Sequence, residues 1–121
     1  MTIRGVRGAT TIEFDTKDNV LSATKELLEA ILCANPNLKV MDIASAFFTV
    51  TDDIVSVHPA LGARQMGWDQ VPMMCAREIP AEGSLPLCIR VLIHWNTDKT
   101  QNEVKHVYLR DAVKLRPDLA R

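Results

Sequence analysis

No apolar run in this 121-residue chain is long enough to cross a membrane, and the most apolar stretch, Cys88 to Trp95, is short and broken by Arg90 and His94. The opening Thr2-Ile3-Arg4-Gly5 leads into no apolar segment of signal-peptide type, so a cytoplasmic protein with no membrane partner is expected. Cysteine is scarce: Cys33, Cys75 and Cys88 are an odd number without metal-ligand spacing, which reads as reduced thiols. A Gly-rich phosphate loop, a His/Cys metal pattern and a Ser–His–acid signature are all missing, so no metal or cofactor is expected. Charge of one sign is also lacking. The 14 Lys and Arg residues nearly cancel 15 Asp and Glu, giving a formal charge of -1. That argues against nucleic acid held by bulk electrostatics, so any anionic ligand must be gripped by a few well-placed cations.

What is present is a globular composition, 47% apolar and 24% charged. The length fits one domain, residues 1–121, able to bury roughly two thirds of its unfolded surface. Ile3 to Ile12 reads as a strand placing Ile3, Gly5, Arg7, Ala9 and Thr11 on one face. Asp15 or Thr16 can cap a helix whose apolar face is Val20, Thr24, Leu27, Leu28 and Ile31, and which Asn35-Pro36-Asn37 ends. Strands are predicted over Met41–Thr51, Val71–Arg77, Leu87–Asn96 and Lys105–Arg110, with Pro72 confined to a strand start or an edge. Pro59 to Met66 predicts a short helix with Gly67 past its end. Ile79 to Pro86 reads as a loop, and Pro117 ends a last short or irregular segment. Strands with one long and one or two short helices make an α+β fold with a mixed sheet.

The arginines stand in unusual places. Arg7 lies between Gly5 and Gly8, where small neighbours allow close approach of a ligand or leave an edge arginine in solvent. Arg90 interrupts Cys88-Ile89-Arg90-Val91-Leu92-Ile93, opposite the unbroken apolar row Ile89, Val91, Ile93 and Trp95. A charge there needs a counter-charge, with Glu78 a candidate, or an anionic ligand. Glu78 at a strand end and Tyr108, the only tyrosine, add a carboxylate and a hydroxyl donor. Cys75, near a strand end, reads as packing rather than as a nucleophile. These residues describe a pocket for a small polyanion.

The segments IRGVRGATT (3–11), GW-x-x-VPMMCAREI (67–79), CIRV (88–91), HVYL (106–109) and LRPDL (115–119) together resemble the monofunctional chorismate mutase family of the trimeric, Bacillus-type aroH class, in the same order over nearly the whole chain. The resemblance implies a homotrimer with clefts between subunits that rearrange the dianion chorismate to prephenate, in aromatic amino-acid synthesis, without a cofactor. It implies Arg90 and Glu78 as catalytic residues. Substrate contacts are implied at Arg7, Cys75, Glu78, Arg90, Tyr108 and Arg116, with Met74, Ala76 and Arg77 supplying backbone and wall contacts. His58, Ala60 and Arg64 would wall the pocket. His58 stands where that pattern can have Phe, and Leu61 where it can have Lys. Two rivals are weighed against this: an imine- or enamine-hydrolysing deaminase of related trimeric architecture, and a non-catalytic anion-binding module.

Overall fold

The computed structural model of the protein describes residues 2–116. Along the chain run β1 (Thr2–Thr11), α1 (Lys17–Ala34), β2 (Ile43–Val50), α2 (Pro59–Gln65), β3 (Met73–Arg77), β4 (Cys88–Thr97) and β5 (Val107–Tyr108). Short 3-10 turns cover Val40–Asp42, Gln101–Glu103 and Arg110–Leu115. The five strands form one mixed sheet in the order β3-β2-β4-β1-β5. The central strand β4 is antiparallel to β1 and β2, whereas the edge strands β3 and β5 run parallel to their neighbours. Among the described residues no helix is long and apolar enough to cross a membrane.

Period-two alternation decides which face of the sheet is covered. Ile89, Val91, Ile93 and Trp95 are all buried, as are Val6 on β1 and Phe48 on β2. Leu27, Leu28 and Ile31 of α1 pack on that face and are fully buried, each worth about 1.5–3 kcal/mol relative to exposure. Gly8 permits the close approach: a Cβ there would lie 2.7 Å from Ile31 Cδ1. Thr16, rather than Asp15, caps α1, accepting from Asn19 N at 3.1 Å. Asp15 instead accepts from Val55 N and from the Ser56 backbone and hydroxyl, which hold its carboxyl below the usual range. Asn35 closes the helix as expected, its backbone N–H and side-chain amide both donating to Ile31 O.

Several strand ends shift by one residue from the sequence expectation, and three strands depart from it by two. Met41 and Asp42 belong to a 3-10 turn closed by Asp42 N to Lys39 O, so β2 starts at Ile43. Val71 closes a turn onto Trp68 O, and Pro72, with no N–H to give, offers only its carbonyl to Ala46 N ahead of β3. Lys105–Arg110 yields a ladder of two residues. Leu109 N still reaches Ala9 O, but Arg110 takes a left-handed φ of 53° and turns the chain away. Pro117, and the end of the LRPDL segment, lie outside the described residues.

Candidate active site

The face of the sheet away from α1 carries the charges, because register brings them into one row. Tyr108 on β5 stands beside Ala9 on β1, Ala9 beside Arg90 on β4, Arg90 beside Thr49 on β2, and Thr49 beside Ala76 on β3. Residues directly paired across strands point to the same face, so this row is continuous. The next row on that face is Arg7, Leu92, Phe47 and Met74. Ala9, with only a methyl group, leaves a gap between Arg90 and Tyr108. Arg7, Arg90, Tyr108, Thr49, Phe47 and Leu92 accordingly line a concavity of about 280 Å³.

Arg90 is not buried alone. Its Nη1 donates to Glu78 Oε1 at 3.0 Å and Oε2 at 3.3 Å, and the Arg90 side chain remains 41% exposed. The counter-charge expected for Arg90 is therefore Glu78, and the guanidinium also faces a cavity. Thr49 Oγ1 donates to Glu78 Oε2 at 2.7 Å, orienting the carboxylate with one neutral and one charged donor. No carboxylate among the described residues pairs with Arg7, so Glu78 balances one of two guanidinium groups on the concavity.

A second concavity of about 290 Å³ collects Cys75, Ala76, Arg77, His58 and Pro59. Cys75 is registered with Phe48 and packs on the core, on the face opposite Arg90. Arg77 Nη1 is committed to the 51–54 turn, donating to Thr51 O and Ile54 O at 2.9 and 2.6 Å. Met74 is 65% exposed on the Arg7 row. Ala60 is buried in this chain's own core, where its side chain lines neither concavity, and Arg64 is exposed at the end of α2. Within one chain, then, Arg7, Arg90, Tyr108 and Glu78 come together. Cys75, Arg77 and His58 assemble elsewhere.

Two further groups complete the electrostatics. The Cys88 thiol is pushed up to about 11, chiefly by burial; Arg90 opposes the shift, and Glu78 and Asp53 add to it. The His106 ring is shifted down from its ordinary value by burial and by the Arg7 and Arg116 charges, and its Nδ1 accepts from Arg7 N at 2.9 Å. Arg116, half-buried, ends the described chain on that side. Thr49 and His106 were missed as site residues. A threonine in a β-branched strand and a histidine before a short strand carry no local signal of partners 29 and 99 residues away. Among the described residues, no group of three or more His, Cys, Asp or Glu side chains gathers to hold a metal ion.

Residues 3–119 match the family model described as "Chorismate mutase type I". The chain is 53% identical over 117 residues to Chorismate mutase AroH of Thermus thermophilus, covering 97% of this chain and 96% of that protein. It is 44% identical over 121 residues to Chorismate mutase AroH of Bacillus subtilis, covering 99% and 94%. Among solved structures it resembles the chorismate mutase from Clostridium thermocellum, with a TM-score of 0.86 and 45% identity over 89% of this chain and 96% of that one.

Proposed function

The chain belongs to the chorismate mutase type I family, enzymes that isomerise chorismate to prephenate in aromatic amino-acid biosynthesis, and we propose how its residues do this. The observation that carries the reading is the convergence of Arg7, Arg90 and Tyr108, from three strands, on one concavity where Glu78 offsets a single positive charge. A dicarboxylate supplies the missing negative charge.

The reaction is a Claisen rearrangement: the ether C–O bond breaks and a C–C bond forms within one molecule. No nucleophile, external proton or redox partner is needed for that electron count. Catalysis rests on holding the reactive chair-like conformer and on meeting charge where it develops. As the C–O bond breaks, negative charge grows on the ether oxygen. Glu78 engages only Arg90 Nη1, which leaves the remaining guanidinium N–H groups for that oxygen. Being fixed in advance by Glu78 and by β4, they stabilise the transition state more than the ground state. Arg7 and Tyr108 hold a carboxylate, Glu78 accepts from the ring hydroxyl, and Arg116 stands at the mouth.

The site is completed by a neighbouring subunit of a homotrimer. Supporting this, the Arg90 concavity is open in one chain, and the Cys75–His58 concavity shares no lining residue with it. Leu92, Phe47 and Met74, paired across three neighbouring strands, also leave an apolar band exposed on the charged face of the sheet. In the trimer, Cys75 with Met74, Ala76, Arg77, His58 and Arg64 walls the neighbour's substrate, and Ala60 supports that wall from within α2. The direct test is prephenate formation by the purified chain without added metal or cofactor. Turnover is expected, and its absence in correctly folded protein overturns the reading.

A further inference from the structure

Arg7 and Tyr108 belong to β1 and β5, which share a ladder of only two registered pairs, Gly8 with Val107 and Ala9 with Tyr108. At one end Leu109 N prolongs it to Ala9 O at 2.9 Å. At the other, the Arg7 N–H is taken by a side chain, the Nδ1 of His106, also at 2.9 Å. An imidazole nitrogen that accepts carries no proton, so His106 is neutral here with its hydrogen on Nε2. Its surroundings keep it so. The ring is half-buried, and the charges acting on it are Arg7 from β1 and Arg116 after the last 3-10 turn. Just past the end of α1, the neutral Asn35 exchanges two 2.9 Å hydrogen bonds with the backbone of Lys105. Asn35 thus fixes the residue before His106, and His106 fixes Arg7.

We propose that His106 is a positioning residue for the reaction: by accepting the Arg7 N–H it extends the short β1–β5 ladder and holds Arg7 beside Tyr108 at the substrate concavity. This rests on the assignment of Arg7 to a substrate carboxylate. Protonation at Nδ1 would set two N–H groups against each other and release the contact. Because a carboxylate is gripped alike in ground and transition states, the loss appears in KM rather than in kcat.

The test is KM and kcat for prephenate formation between pH 5 and 8 in the wild type, His106→Ala, His106→Asn and Arg7→Ala, together with an NMR titration of the Arg7 amide proton. The Oδ1 of asparagine sits where Nδ1 of histidine does and accepts without titrating. His106→Ala is expected to raise KM about fivefold at pH 7.5, with kcat within about twofold, the scale of one lost hydrogen bond. His106→Asn should stay within about twofold of wild type and lack the wild type's rise in KM as the pH falls below the ordinary histidine value. The Arg7 amide should titrate with the His106 ring. If Arg7→Ala raises KM but His106→Ala does not, or if His106→Asn keeps the acid limb, the positioning role falls while the Arg7 assignment stands. If Arg7→Ala leaves KM unchanged, the assignment itself fails and takes this role with it. An Arg7 amide that ignores the ring's titration overturns the contact whatever the kinetics.

Discussion

Thr49 donates its hydroxyl to Glu78 Oε2 at 2.7 Å from the strand position directly paired with Arg90, so one threonine orients the carboxylate that in turn fixes the guanidinium. Thr49→Val keeps the β-branched shape and removes the donor. We expect kcat/KM to fall about tenfold, the scale of a hydrogen bond to a charged group, with little change in the denaturant midpoint. Steady-state kinetics and urea unfolding on the same preparation check this; unchanged kcat/KM would show that Arg90 alone sets Glu78.

Cys88 gives a stability signature at high pH. Its folded thiol holds its proton up to about 11, whereas the unfolded thiol ionises near its ordinary value. The contribution is therefore fully present below about pH 8.5 and is lost as the pH rises through the folded value. Urea midpoints measured from pH 8 to 11 should fall more steeply for the wild type than for Cys88→Ala. Parallel slopes would mean that the thiol ionises as freely folded as unfolded.

An intramolecular rearrangement needs no acid–base pair, so kcat should be nearly level from about pH 7 to 9, without a bell. A solvent-isotope-sensitive limb near neutrality would instead assign proton transfer to His58, His94 or His106 and favour hydrolytic chemistry.

The proposed two-chain site has a complementation test. His58→Trp should obstruct the wall and Arg90→Ala should remove the catalyst, so each homo-oligomer should be nearly inactive. Because the two residues line separate concavities within one chain, refolding the variants together should create some interfaces lacking both lesions. Activity above either parent, in particles of trimer mass, is expected. No recovery despite demonstrated subunit exchange would place both residues in one chain's site.

Much of this was legible before any coordinates. A lone charge in the alternating Cys88–Ile93 run marked Arg90, since period-two patterning says which face each residue takes and burial says what an arginine there requires. The long helix was equally readable from Thr16 to Asn35, where caps and apolar spacing agree. What could not be read was register. Glu78 was named as a partner for Arg90 only as one candidate, while Thr49 on Glu78 and His106 on Arg7 arise only once the strands are aligned. The shortness of β5 was hidden too, because HVYL has strand composition throughout and only the left-handed turn at Arg110 cuts it off. Ala60 was expected in α2 and lies there, and its burial in the chain's own core follows from packing that the sequence does not show.

The central claim is that Arg90 stabilises the transition state and does not merely bind a dianion. It is tested most directly by kcat for prephenate formation at saturating chorismate in Arg90→Met and Arg90→Lys, with circular dichroism confirming the fold. The account predicts a fall of at least about a hundredfold in the methionine variant, the scale of losing one preorganised donor to a developing oxyanion. It predicts a large fall in the lysine variant as well, because a compact ammonium on a different stem cannot reproduce the fixed planar N–H groups of the guanidinium. A wild-type kcat accompanied only by a raised KM would contradict it.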